Sequence, residues 1–217
     1  MAGTGNIGHG VTYSLEPRNG EPLSQGLTEV MNVVRQAASF GSATSDNGAH
    51  LYGHVPHVAP EAWFHILFPP LETDALTELD KRLGRPIPDS YRELLMRTNG
   101  LHLFSGALAL DGLRRDFSRK TSIREPFDLG DPNVFERPRA ADPTWFIFGF
   151  YKSDGSTVYI DPRDGRVYRA DRDMTEPRLN QWDSLDTFLR DEVRRLVGHF
   201  DDRGRRLDPS RPTTPDS

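Results

Sequence analysis

The segment from Thr144 to Asp171, TWFIFGFYKSDGSTVYIDPRDGRVYRAD, constrains the fold more than any other part of the chain. Its aromatic and β-branched runs are separated by Asp154-Gly155 and by DPRDG, both of which are hairpin connections. Three antiparallel strands follow. A sheet of this kind needs helices or a second sheet over at least one face, so the rest of the sequence must supply what covers it.

Helices are available in sufficient number. In IPDSYRELLMRTNG, residues 87–100, Tyr91, Leu94, Leu95 and Thr98 recur at i, i+3, i+4 and i+7 as one buried stripe, with Arg92, Glu93 and Arg97 on the opposite side. Pro88 suits a first helical turn, Asp89 its capping, and Asn99-Gly100 the left-handed stop. An earlier helix is predicted after Thr73 or Asp74, carrying Leu76, Leu79 and Leu83 and ended by Gly84 and Pro86. A first helix after Ser24 places Leu27, Val30, Met31, Val34, Ala37 and Ala38 on one face and stops at Gly41. A last one, capped by Asp183 or Ser184, turns Leu185, Phe188, Leu189, Val193, Leu196 and Val197 inward. LHLFSGALALDGL, residues 101–113, reads as one or two short strands, and residues 114–143 as a long loop with isolated Phe117, Phe127 and Phe135.

The expected organisation is an N-terminal extension over residues 1–59 containing one helix, a folded domain over 60–200 whose core begins at PEAWFHILFPP, and a disordered tail over 201–217. Residues 1–22 read as a loose lead-in, and GSATSDNGAHLYGHVPHVAP as turn chemistry. The expected fold class is α+β, with helices packed around a twisted, largely antiparallel sheet.

Composition narrows function mainly by exclusion. The absence of cysteine rules out disulfides, thiolate nucleophiles and cysteine-ligated zinc. A net charge of −5, with 24 of the 27 basic residues being Arg scattered along the chain, lacks the basic footprint of a nucleic-acid binder. No apolar stretch approaches the ~18 residues of a membrane span, and the chain is expected to be soluble and cytoplasmic. GTGNIG spells G-x-G-x-x-G at Gly3, Gly5 and Gly8, yet only two residues precede it where the dinucleotide fingerprint needs a buried strand. His50, His54 and His57, with His65 nearby, could be arranged as zinc ligands, but Gly53 and Pro56 break the helix that would align them. DPRDG places Arg163 and Gly165 where a calcium loop wants acidic or amide side chains, so it reads as a turn. No carboxylate lies two residues before Lys81, Lys120 or Lys152, and neither a G-x-S-x-G elbow nor a phosphate-binding G-x-x-x-x-G-K loop occurs. Neither catalysis nor a cofactor is expected.

The order of these parts resembles the SUKH superfamily, in its branch named for the yeast cell-wall-assembly regulators. The resemblance rests on FPPLETDALTELDKRLGRPIPDSYRELLMRTNG and FGFYKSDGSTVYIDPRDGRVYRA followed by a closing helix. It places Pro69, Pro70, Leu83, Gly84, Pro88, Tyr91, Leu94, Asn99, Gly100, Tyr159, Asp161 and Gly165 at motif positions. Leu101 stands where many members have a second glycine, and residues 1–59 have no counterpart. The resemblance implies an α+β binding protein: an immunity protein that neutralises a cognate bacterial toxin, or, as the alternative, a regulatory or scaffold domain without a toxin partner. The implied partner is a protein, with a basic, nucleic-acid-targeting toxin suited to the acidic chain, and with no direct contact to nucleic acid or membrane. Asp154, Asp164, Asp171, Asp173 and Glu176, near the hairpin ends, and Trp182, just before the last helix, are the candidate partner-binding residues. Trp63 and Trp145 lie in apolar runs and read as core.

Overall fold

The computed structural model describes residues 22–118 and 125–216. Nine strands form one sheet in the order β1 to β9, each hydrogen-bonded to the next in sequence, and every pairing is antiparallel. They are β1 (Ser42–Thr44), β2 (His50–His54), β3 (Trp63–Leu67), β4 (Leu101–Leu103), β5 (Leu108–Leu110), β6 (Phe146–Tyr151), β7 (Thr157–Ile160), β8 (Val167–Ala170) and β9 (Asn180–Trp182). The helices are α1 (Gln25–Ala37), α2 (Thr73–Leu83), α3 (Asp89–Leu95) and α4 (Leu185–Val197). The fold is therefore α+β, and the expected three-stranded block is β6 to β8.

The alternation of side chains divides the sheet into two faces. One face, including Leu67, Leu101, Leu103, Leu108, Leu110, Phe146, Phe148 and Val158, packs with the buried stripes of all four helices into the main core. The other carries two smaller clusters, one around Trp145, Ile147, Tyr159 and Tyr168 and one around Leu51, Ile66 and Phe68. Between them the ring of Phe127 covers His102 and Phe150, with centroids 4.8 and 4.9 Å away. The long loop thus shields part of the face that no helix reaches.

The division at residue 60 does not survive. Strand β2 pairs with β3 from His50↔Leu67 to His54↔Trp63, and Leu27, Val30 and Val34 of α1 belong to the main core. Helices α1 and α4 lie side by side: Gly26 N donates to Asp186 Oδ1 at 2.7 Å, and a Cβ on Gly26 would sit 2.5 Å from Asp186 O. The segment read as turn chemistry contains β1 and β2. Their three and five residues, interrupted by Gly48 and Gly53, are too short for period-2 alternation to register.

The tail is also built in. Thr213 is buried, Arg195 Nη2 donates to Thr213 O at 2.7 Å, and the buried Arg169 donates through Nη1 to Pro215 O at 2.8 Å. Backbone carbonyls, which carry no compositional signal, hold it in place. The lead-in over residues 1–21 lies outside the described residues.

Helix ends differ in detail. Ser24 and Ser184 cap α1 and α4 through their hydroxyls as expected. By contrast, Glu72 and Pro88, and not Thr73, Asp74 or Asp89, hold the cap positions of α2 and α3, and neither makes a side-chain cap. Helix α3 stops at Leu95, and the left-handed Gly100 (φ 78°) instead turns the chain into β4. Ala38 falls in a 3₁₀ turn after α1 and is half-buried, and Val197 is 43% exposed.

Candidate interaction surface

Residues 111–118 and 125–145 contain only one short helical turn, Asp131–Phe135, and are tied down by polar side chains. The amide of Asn99 acts as a short piece of strand: its Nδ2 donates to Leu113 O at 2.9 Å, and its Oδ1 accepts from Leu113 N at 2.7 Å. Asn133 does the same for the far end, donating to Leu129 O and Ile147 O and accepting from Ile147 N. Arg85 reaches Pro143 O and Trp145 O, and Arg82 pairs with the buried carboxylate of Asp128. Next to that pair, Asp111 is fully buried. Burial first, then the charges of Asp131 and Asp128, push its pKa well above the usual carboxylate range.

This framework presents large apolar side chains to solvent among charged neighbours such as Asp116, Asp131 and Glu136. Phe117 is 59% and Phe135 63% exposed, and Val134 is exposed beside them. The Arg82 guanidinium lies 5.8 Å from the Phe117 centroid and 5.7 Å from that of Phe135, and Arg114 lies 5.4 Å from Phe117. Two exposed phenyl rings flank a cation that its own ion pair holds in place. Aromatic and Arg side chains of this kind concentrate binding energy at protein interfaces.

The acidic residues singled out in sequence are not one surface. Asp154, in the β6–β7 turn, and Asp171, Asp173 and Glu176, after β8, share one end of the hairpins, because Thr157 pairs with Ala170. Asp164 sits in the β7–β8 turn at the other end, roughly 13 Å away along four-residue strands. Three of the five are already engaged. Asp154 pairs with Arg169 at 2.8 Å and caps Ser156 N. Partial burial opposes its ionisation and is outweighed by Ser156 and Arg169, so its pKa is lowered. Asp164 accepts from Tyr168 Oη and Arg166 N, and Asp171 from Glu176 N and the Thr175 hydroxyl. Asp173 and Glu176 are exposed. Trp182 is not available to a partner: it lies on β9 in the main core, 9% exposed, with its ring edge-on to Phe188. A three-residue strand just before a helix cap leaves too short a pattern to reveal that burial.

Comparison with protein families matches residues 70–191 to the SMI1 / KNR4 family (SUKH-1). The chain belongs to this family. A search of curated proteins returns no match.

The positions that carry the SUKH-1 motif are accounted for by the fold. Gly84 and Gly165 take positive φ at turns, Tyr91 Oη donates to Asp111 O and Phe148 O from full burial, and Asp161 accepts from Trp145 Nε1 and Arg163 N. Asn99 secures the start of the irregular segment, and Gly100 lies so close to β5 that a Cβ would be 2.5 Å from Leu110 O. The family motif therefore builds the platform, whereas the exposed Phe117 and Phe135 lie between its blocks, and the half-buried Arg82 lies inside the first block at a position the motif does not use. The two phenylalanines stand out in the sequence, whereas the position of Arg82 from α2 between them leaves no sequence signal. Of the other patterns, His50 and His54 are on one strand, His65 is fully buried, and among the described residues no group of three His, Asp or Glu could hold a metal. No helix among them is long and apolar enough to cross a membrane. The glycines at positions 3, 5 and 8 lie outside the described residues.

Proposed function

We propose that this SUKH-1 protein is a non-catalytic immunity protein that acts in the cytoplasm of the producing cell, binding a cognate toxin and covering its active site or a surface it needs. The observation that carries this reading is the exposed Phe117–Arg82–Phe135 group on a segment held by Asn99 and Asn133, a preorganised anchor of the type found at interfaces. The chain's net charge of −5 favours a basic toxin, with the exposed Asp173 and Glu176 contributing to its long-range approach.

The test is co-expression with toxin domains encoded beside this gene. The expected outcome is survival of the host together with a complex that co-purifies. Phe117→Ala and Phe135→Ala should each weaken binding about tenfold or more while leaving the melting temperature unchanged, since neither ring is buried. Asp173→Lys with Glu176→Lys should slow association at low salt and leave dissociation nearly unaltered. Asp171 is left out because its carboxylate holds its own turn. A protein that binds and protects against none of the neighbouring gene products would remove the immunity reading.

A further inference from the structure

A second site is built largely outside the segment that defines the family. The β4–β5 turn, the β6–β7 turn, the β2–β3 connection and the chain after α4 enclose an open cleft of about 580 Å³. That volume is in the range of small-molecule sites. Its floor is apolar, formed by Phe104 and Phe200, whose rings stack 5.5 Å apart at 21°, with Ala107 and Val58 beside them.

The walls are cationic. Lys152, Arg205 and Arg206 contribute to them, with His57 alongside, and no acidic residue is among the described lining residues, although the protein as a whole is acidic. Two carboxylates of the segment after α4 accept hydrogen bonds within their own loops, with Asp201 also acting at longer range on Arg205 and His57. Asp201 Oδ1 accepts from Arg203 N and Arg205 N, and Asp208 Oδ1 from Ser210 N and Oγ. Two hydrogen-bond donors in the walls, Ser105 Oγ and Arg206 Nε, are buried without a protein partner. Such groups are costly unless something satisfies them. Arg206 is held over Phe200, 5.6 Å from its centroid.

The backbone adds a further sign. Phe104 and Ser105 both take left-handed φ, 54° and 57°, in a turn where side-chain-bearing residues are disfavoured, and Ser105 N is pinned to Phe64 O at 2.7 Å. Strain of this kind is found where a fold holds a side chain in place for binding.

We propose that this cleft binds a small amphipathic anion, a carboxylate or phosphate head carried on a flat apolar ring. The ring would lie against the apolar floor at the edge of the Phe104–Phe200 stack, beside Val58, Ala107 and Pro209, and the head would meet Lys152, Arg205 and the Ser105 hydroxyl. Because His57, Val58 and residues 200–213 fall outside the matched region 70–191, the cleft is completed by this chain's own flanks on top of Phe104, Ser105 and Lys152 from the matched region, and it is independent of the toxin reading.

The test is calorimetric titration of the full chain with adenosine 5′-monophosphate, benzoate, inorganic phosphate and adenosine. Saturable binding of adenosine 5′-monophosphate or benzoate with a Kd below ~1 mM is expected, the tighter of the two assigning the head group, with inorganic phosphate and adenosine at least about tenfold weaker. Lys152→Glu with Arg205→Glu, both at exposed positions, should weaken the bound probe about tenfold or more. Ser105→Gly, which removes the hydroxyl and suits the positive φ, should also weaken it without lowering the melting temperature. Absence of saturable binding by both ring-bearing anions, equal binding of adenosine or inorganic phosphate, or affinity unchanged in the charge-reversed variant would each overturn the proposal.

Discussion

Asn99 shows how much one side chain can do. Its amide satisfies both backbone groups of Leu113, so Asn99→Ala leaves a buried N–H and C=O unpaired, which should cost about 2–4 kcal/mol, measurable by urea denaturation. Leu95, fully buried on α3, should cost about 2–5 kcal/mol as Leu95→Ala, through lost transfer energy and the cavity left behind. Gly100→Val should also destabilise, because φ is 78° and the new Cβ would press on Leu110 O. Near-unchanged midpoints in these variants would contradict the packing described. The buried stripe Tyr91, Leu94, Leu95 and Thr98 was legible because helical spacing announces it. The partnership of Asn99 with Leu113, 14 residues away, was not, since an Asn-Gly pair reads only as a turn.

At the level of elements, the decisive feature is that α1 and β1–β2 complete a core that sequence reading began at Pro60. A fragment covering residues 60–217 would expose the edge of β3 and the face of α4 that α1 covers, and it should fail to fold as a stable monomer. A cooperative melt of that fragment near the full chain's temperature would restore the two-part organisation. At the other end, removing residues 213–217 strips Arg195 and Arg169 of carbonyl acceptors and should lower stability by about 1–3 kcal/mol. An unchanged melting curve would return the tail to the status of a dispensable appendage.

Across the whole molecule, burial of ionisable groups sets the dependence of stability on pH. Burial holds His65 at about 3, and burial followed by Lys152 and Arg114 holds His102 at about 4, against 6.5 in an unfolded chain. His50 and His199 are lowered as well. The unfolded state therefore takes up protons that the folded state refuses, so this stability is present above pH 6.5 and is lost as the pH falls toward 4. Asp111 acts with the opposite sign. Its raised pKa keeps a proton in the folded state that the unfolded chain gives up above about 3.8, so its contribution is lost as the pH rises through the folded value. The histidines outnumber it, so stability should rise between pH 4.5 and 6.5. His102→Phe should reduce that slope by up to one proton, about 1.4 kcal/mol per pH unit, in denaturant titrations across the range. A slope identical to that of the parent would mean that His102 titrates normally in the folded protein.

The sequence alone determined the α+β class, the three-stranded block from Phe146 to Ala170, the four helices and the family, because periodicity and turn chemistry are local and repeat within a few residues. Tertiary structure alone decided that Trp182 is core, that Asp164 lies away from the other acids, that residues 22–59 and 201–216 join the same body, and that Arg82 lies between Phe117 and Phe135. These depend on contacts between residues far apart in the chain, and on backbone carbonyls that accept hydrogen bonds whatever side chain they carry. Neither leaves a pattern along the sequence.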